Sequence, residues 1–254
     1  MTKSSVSIIT PVKNGEKWIK HCILSVSSVK VRYEHIIVYS PSNDKTLDVI
    51  NSLSVPFVIV EEPSGTSSMY QAIQYGLSLA KYDILCYLNS DDQLQGLCFS
   101  AAVESMATKS LDVLYCSGFM LFDNKPMIYN SALPFPRYFL ENGLMPAQQP
   151  SCLFSRRAYN RHKFDLNLKF AADLKMFLSI SRDSVLRSAC LPLPISKFLV
   201  RSDSLGALNY VASQNELNLF CPFPPAWHAR FFLHVLRSFP LLTDLINRFL
   251  SLLI

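Results

Sequence analysis

Hydrophobic positions along this chain alternate between short continuous blocks and stretches in which apolar residues recur at helical spacing. Val6 to Thr10 is one such block, long enough for a buried strand, and Pro11 is expected to stop it. Trp18, Ile19, Cys22, Ile23 and Val26 then fall on one helical face. His35 to Tyr39 reads as a second strand, followed by the turn-rich loop Ser40-Pro41-Ser42-Asn43-Asp44. Thr46 to Leu53 reads as a helix and Phe57 to Val60 as a third strand. The polar loop Ser64-Gly65-Thr66-Ser67-Ser68 leads into a helix through Ala72, Ile73, Leu77 and Ala80, and Asp83 to Leu88 makes a fourth strand.

Strands alternating with helices at this spacing predict an α/β fold with a mainly parallel sheet and helices on both faces. Beyond Asp92 the rhythm loosens. A helix is expected over Leu97 to Ala107, a strand over Val113 to Cys116, and a helical run over Leu174 to Ile180. Phe119 to Phe122 and Met127 to Tyr129 flank Asp123-Asn124-Lys125-Pro126 in the manner of a hairpin, so this half reads as mixed.

Past Phe220 the composition changes to Pro222-Phe223-Pro224-Pro225 and then to a strongly apolar stretch. Trp227, Phe231, Val235 and Phe239 share a helical face, with Arg230 and Arg237 on the other. After Pro240, the residues Asp244, Asn247, Arg248 and Ser251 form a narrow polar stripe on an otherwise apolar helix. Such a pair suits two uses: lying in a membrane interface, or packing as a hairpin on the rest of the chain or on a second copy of it.

Composition narrows the class. Half of the 254 residues are hydrophobic and 17% are charged, which supports a sizeable core and argues against disorder. The net charge of +5 is spread out, with no basic run interleaved with aromatics, so no nucleic-acid partner is expected. The seven cysteines are far apart, odd in number and without a CxxC pair. They read as reduced, buried thiols of a cytoplasmic protein rather than a zinc site. No secretory signal pattern and no run of about twenty apolar residues is evident, so a membrane span is not expected.

The candidate chemistry sits where the fourth strand ends, in Asn89-Ser90-Asp91-Asp92. Ligands of parallel α/β sheets bind at the carboxyl ends of the strands. Acidic residues there are placed to hold a divalent cation against a phosphorylated substrate. The same pair also suits a solvated turn or a helix cap.

Further segments give that motif a context. Ser7-Ile8-Ile9-Thr10-Pro11-Val12-Lys13-Asn14, Ser42 to Leu47, Glu62-Pro63 and Tyr70 to Gly76 resemble, in order, the opening of family-2 glycosyltransferases of the GT-A fold. Leu88-Asn89-Ser90-Asp91-Asp92 is similar to the metal motif of polysaccharide-assembly members. Gln149-Pro150, Phe154, Arg156-Arg157, Phe164-Asp165 and Ala171-Ala172-Asp173-Leu174 are similar to a later signature, so the resemblance covers about residues 5 to 205.

The resemblance implies a GT-A domain over 1–220, with a donor half to about 110 and an acceptor-side half to about 220, followed by a helical tail over 221–254. It implies an inverting transfer from a nucleotide-sugar donor to a glycan or lipid-linked glycan in surface polysaccharide assembly. A divalent cation, Mn or Mg, would be held by Asp91. Asp173 aligns with the catalytic base, and its neighbours Phe170, Ala171 and Ala172 would raise its pKa; a helix cap is its other use. Pro11, Lys13, Asn14, Tyr39, Ser42, Asp44, Gln71, Ser90 and Asp92 are expected around the donor. Arg156 and Arg157 are expected at the diphosphate or acceptor, since guanidinium forks suit phosphate oxygens, and Gln149 on the acceptor side. The protein would be cytoplasmic, peripheral on the inner face of the plasma membrane through 222–254, with a homo-oligomer also open.

The chain departs from the family's pattern at identifiable places. Tyr39 stands where an acidic residue often reads the nucleobase, and a phenol cannot supply a carboxylate's two acceptors. Gln71 and Gln74 stand where an aspartate and an asparagine are usual, and Asn89 replaces the first acid of an Asp-x-Asp motif. Tyr39 and Gln71 together lower the negative charge of the donor pocket, which keeps a non-catalytic glycan- or nucleotide-binding subunit as the alternative.

Overall fold

The structure, a computed structural model, describes residues 4–122, 125–221 and 227–252. The first third alternates as its hydrophobic pattern predicts. In order come β1 (Ser5–Val12), α1 (Ile19–Ser27), β2 (Arg32–Tyr39), α2 (Thr46–Asn51), β3 (Val58–Glu61), α3 (Met69–Leu79) and β4 (Ile84–Tyr87). These strands pair in parallel in the order β3-β2-β1-β4. Alternate side chains go to opposite faces. Ile9, Leu85 and Tyr87 meet the α3 side, whereas Ile8, Ile84 and Cys86 meet the α1 side. Burial on both faces is why these strands read as continuous apolar runs.

Pro11 does not stop β1. The ladder to β4 ends at Ile9↔Tyr87, so the missing Pro11 N–H faces a side with no remaining partner, while Pro11 and Val12 stay in register with β2. On the other side, α3 lies close to the sheet at Gly76, where a Cβ would stand 2.6 Å from Ile9 Cγ2 and 2.9 Å from Val38 Cγ2.

The second half is mixed, as expected, but built differently in detail. It contains β5 (Gln93–Leu94), α4 (Gly96–Thr108), β6 (Val113–Phe122), β7 (Lys125–Asn130), α5 (Pro136–Glu141), β8 (Cys152–Ser155), α6 (Arg156–Arg161), α7 (Ala172–Arg182) and β9 (Ser188–Val200). The sheet continues from β4 as β8-β6-β9-β5, with β7 on β6. The two short apolar runs expected at Val113 and Phe119 are one strand, β6, kept continuous through Ser117 and Gly118. Gly118 is needed there because a Cβ would lie 2.7 Å from Ser151 Oγ, which bonds Ser196 Oγ at 2.6 Å. The hairpin of β6 and β7 is present, and part of its expected turn, at 123–124, lies outside the described residues.

The long strand β9 gave no sequence signal because Pro192 and Pro194 interrupt it. The register with β6 jumps from Cys116↔Leu191 to Ser117↔Pro194, so an irregularity absorbs that stretch. β9 carries the chain to the carboxyl end of the sheet, beside the turn that follows β4.

The chain finishes with α8 (Leu205–Leu208), α9 (Tyr210–Leu217), α10 (Trp227–Ser238) and α11 (Pro240–Leu252). The proline-rich segment 222–226 lies outside the described residues. The tail packs on the domain, but not by its broad apolar face. Asn247 is fully buried and donates to the Ala132 carbonyl at 2.7 Å, and Tyr129 donates to Asp244 at 2.7 Å. Phe232 stacks on Phe139, and Leu236 joins Leu133. Trp227, Phe231, Phe239, Leu241, Leu245 and Phe249 are left exposed, Leu241 at 85%. No helix among the described residues is long and apolar enough to cross a membrane. All seven cysteines are free, and most are buried, as expected.

Candidate active site

A cleft of about 590 Å³ opens where β1, β2 and β4 end. Pro11 and Val12 at the end of β1 with Lys13 after it, Ser40 after β2, and Asn89, Ser90 and Asp91 after β4 form its floor. Thr66, Ser67, Ser68 and Met69 at the start of α3 close one side, and Lys169, Phe170, Phe198, Leu199 and Arg201 the other. Volume and lining are those of a small-molecule site at the carboxyl edge of a sheet.

The adjacent carboxylates divide their roles. Asp92 is buried and does not line the cleft, with Oδ1 accepting from the Leu199 amide at 3.0 Å, which ties the β4 turn to β9. Burial, and then the Asp91 charge, hold its pKa well above the usual carboxylate range. Asp91 faces the cleft. Its Oδ2 lies 3.1 Å from Arg201 Nη2, and the Arg201 guanidinium stacks 3.7 Å above the Trp18 ring. Burial raises the Asp91 pKa, and the Arg201 charge partly offsets this.

Asp173 sits in the first turn of α7, whose N-terminal boundary residue, Ala171, supplies no side-chain cap. Its Oδ1 accepts from the Leu174 amide at 2.8 Å and its Oδ2 from the Tyr87 hydroxyl at 3.1 Å. Burial raises its pKa against the hydrogen bonds of Tyr70, Leu174 and Tyr87, which lower it. The preceding segment is clamped by Glu216 of α9, whose carboxylate accepts from the amides of Lys169, Phe170 and Ala171 at 2.8 to 3.0 Å. Gln149 links this side to the acidic turn, donating to the Tyr87 carbonyl at 2.6 Å and accepting from Asn89 Nδ2 at 3.4 Å.

The profile of glycosyl transferase family 2 matches residues 7–166, more than half of the chain. The chain belongs to glycosyl transferase family 2. Among solved structures it resembles S. aureus TarS 1-349 in complex with UDP-GlcNAc, at 17% identity and a TM-score of 0.62, covering 79% of this chain and 60% of that one. The mannosyltransferase PcManGT from Pyrobaculum calidifontis, in complex with GDP-Man and Mn2+, matches at 15% identity and 0.62, over 95% and 73% of the two chains. Glucosyl-3-phosphoglycerate synthase from Mycobacterium tuberculosis, with Mn2+, UDP and glucosyl-3-phosphoglycerate, matches at 19% and 0.55, over 87% and 82%. These likenesses establish the GT-A fold. Comparison with curated protein sequences finds no match.

Within this family-2 chain the expected site residues scatter more than their motifs suggest. Pro11, Lys13, Ser90 and Asp91 line the cleft. Asn14, Ser42 and Asp44 instead build the loop at its edge. The Asn14 amide donates to Ser42 Oγ, and Asn14 Oδ1 accepts from the Asn43 amide. Asp44 accepts from the amides of Glu16 and Thr46. Tyr39 fixes the same loop, its hydroxyl accepting from the Ser42 amide at 3.1 Å. Gln71 folds back on the α3 approach, accepting from the Ser67 amide at 2.7 Å.

Arg156 and Arg157 are not brought to the cleft. Arg156 Nη2 donates to the carbonyls of Ala80 and Tyr82, before β4 begins, and Arg157 donates to Val185 and lies 4.0 Å from Asp112. Both hold the amino edge of the sheet, at the opposite end from the diphosphate position expected for them. The guanidinium that lines the cleft is Arg201, just past the end of β9, where no local motif marks it. Trp18, Lys169 and Glu216 were likewise missed as site residues, because their contacts join segments distant in sequence.

The acidic turn after β4 carries oxygen groups that could hold a divalent cation. Asn89 Oδ1 and Asp92 Oδ2 are buried acceptors with no hydrogen-bond partner, beside the Asp91 carboxylate. Oxygen groups of this kind suit a hard cation. Among the described residues no cluster of three or more His, Cys, Asp or Glu side chains offers a complete cage.

Proposed function

We propose that this chain transfers a glycosyl unit, with inversion, from a nucleotide-sugar donor to a glycan or lipid-linked glycan. The observation that carries the proposal is the placement of Asp173 and Asp91 around the end of one strand. Tyr87 holds the first, and Asn89, Ser90 and Asp91 follow it after Leu88. A base and a diphosphate site are the two elements such a transfer requires.

In this reading the donor's nucleotide lies along Pro11, Lys13 and the wall formed by Thr66, Ser67, Ser68 and Met69, with its diphosphate toward Asp91. Asp173 takes the proton of the acceptor hydroxyl. That oxygen forms its bond to the anomeric carbon as the bond to the diphosphate oxygen breaks, and nucleoside diphosphate leaves. Asp91 would hold Mn2+ or Mg2+, with Asn89 and Asp92 in support; the cation, when bound, neutralises charge developing on the leaving diphosphate. Burial of Asp173 serves this role by raising its basicity, while the Tyr87 hydroxyl and the Leu174 amide fix its carboxylate beside the end of β4.

We also propose that the catalytic unit is 1–220 and that 221–254 is an appended tail resting on an inner membrane face. Support comes from Asp244 and Asn247 of its polar stripe being turned inward while Leu241, Leu245 and Phe249 stand exposed. A role in surface polysaccharide assembly would place the acceptor at that membrane.

The testing experiment is a panel of UDP- and GDP-sugars with Mn2+ or Mg2+, scored for donor hydrolysis and for transfer to isolated lipid-linked glycans. Turnover of one donor, lost in Asp173→Asn while that donor still binds, supports the transferase. Binding without turnover, under any metal and acceptor, would favour the non-catalytic subunit.

A further inference from the structure

Arg201 is the unexpected member of the cleft. It is held from three sides, by the Trp18 ring at 3.7 Å, by Asp91 at 3.1 Å and by Asp203, whose Oδ1 lies 3.5 Å from Nε, and its side chain is only 15% exposed. Its Nη1 is buried without a hydrogen-bond partner, as is Asn89 Oδ1 in the acidic turn nearby. A buried donor without a partner calls for an anion, and a buried acceptor without one calls for a cation. The cleft thus carries both demands, and Asp91 and Arg201 meet each other's charge.

We propose that Arg201 is a donor-diphosphate ligand that exchanges partners, leaving Asp91 to a divalent cation as it takes up phosphate oxygens. This rests on the donor-site reading above and specifies how that site loads. The charges explain why loading is joint. A divalent cation arriving alone meets a carboxylate already neutralised by a guanidinium, which repels it. A nucleoside diphosphate arriving alone must draw Arg201 from Asp91, leaving a bare carboxylate beside phosphate. Arriving together, the cation goes to Asp91 and the diphosphate to Arg201, and neither charge is left unpaired. Trp18 keeps the guanidinium within reach of both partners by stacking on its face, a geometry that an ammonium would not reproduce.

The exchange couples the two affinities, and coupling is reciprocal. The test measures Mn2+ binding by electron paramagnetic resonance and UDP or GDP binding by calorimetry, each alone and together, on the full chain. In the wild type each partner should tighten the other by about tenfold or more. Arg201→Ala should bind Mn2+ alone about tenfold tighter than the wild type, with the coupling lost. Asp91→Asn should bind nucleotide alone about tenfold tighter than the wild type, while Mn2+ no longer helps it.

Equal affinities of wild type and both variants for each lone partner would overturn the exchange and leave the donor site standing. Failure of the wild type to bind either nucleotide, with or without Mn2+, would overturn the donor-site reading itself. Thermal melting of each variant reports its folding, and Asp91→Asn, which keeps the side-chain volume, decides the matter should Arg201→Ala not fold.

Discussion

The Tyr87 hydroxyl donates to Asp173 Oδ2 at 3.1 Å, joining the last residue of β4 to the first turn of α7. A hydrogen bond to a carboxylate favours its charged form, so Tyr87 restrains the rise in pKa that burial imposes on Asp173.

A split between two variants follows from that bond. Asp173→Asn, which cannot accept a proton, should lower transfer on the order of 10²–10⁴-fold while leaving nucleotide affinity unchanged. Tyr87→Phe should remain active with the acidic limb of its kcat/KM profile displaced to higher pH, because losing the donor raises the Asp173 pKa. A pH-rate series on both proteins checks this. An unmoved limb in Tyr87→Phe would remove Asp173 as the group that titrates.

Asp92 carries a prediction about stability. Its folded-state pKa lies well above its unfolded value, so between the two values the folded chain binds more protons than the unfolded one. Stability must then fall as pH rises through that window and level off above it. His35, fully buried with a pKa lowered to about 3, slopes the other way, so the whole protein's curve mixes both signs. Asp92→Asn isolates one sign. Its Oδ1 can still accept from Leu199, and no charge is buried. The melting temperature of the variant relative to wild type should therefore be higher at pH 8 than at pH 4. A difference that stays constant across that range would show Asp92 to be uncharged throughout or not perturbed.

Gly76 tests how tightly α3 must sit against β1 and β2. A methyl group there would meet Ile9 and Val38 at well under contact distance, and both belong to the packed interior. Gly76→Ala should gain helix propensity yet lose about 1–3 kcal/mol to overpacking. Because α3 begins with Met69 at the cleft wall, displacing it should also weaken nucleotide binding. Urea denaturation and a nucleotide titration of the same preparation measure the two effects. A stabilised variant would mean that α3 moves outward freely.

The contrast between Asp91 and Arg201 shows what the sequence made legible. Asp91 could be placed because a buried strand followed by acids is a local pattern, and β4 with its turn is contained in ten adjacent residues, 83–92. The same holds for Pro11 and Lys13 at the end of β1, and for the alternation of strands and helices up to β4. Arg201 could not, because its meaning comes from Asp91 and Trp18, which the topology brings to it through β9, itself hidden by two prolines. Arg156 and Arg157 show the reverse failure. Their neighbours in sequence suggested phosphate, but the antiparallel pairing of β8 with β4 returns that segment to the amino edge of the sheet. A paired-arginine motif reports charge; only topology reports which end of the sheet receives it.

The tail supplies the last prediction, since periodicity revealed two faces of α11 but not which one turns inward. Asn247 and Thr243 are buried, whereas Leu241, Leu245 and Phe249 face outward beside Phe231 and Trp227 of α10, the last 78% exposed. Side chains of this size gain about 1.5–3 kcal/mol each when fully removed from water, enough together to hold a peripheral protein on a bilayer. Arginines are few in this tail, so binding should rest on apolar area and survive raised salt. Co-sedimentation with phosphatidylethanolamine–phosphatidylglycerol vesicles should retain the wild type and release Phe231→Ser/Leu241→Ser/Leu245→Ser, with transfer to a short soluble acceptor unaffected. A wild type that stays in solution with vesicles but sediments as a dimer in the ultracentrifuge, reverting to monomer in the triple variant, would assign the same face to a second copy of the chain.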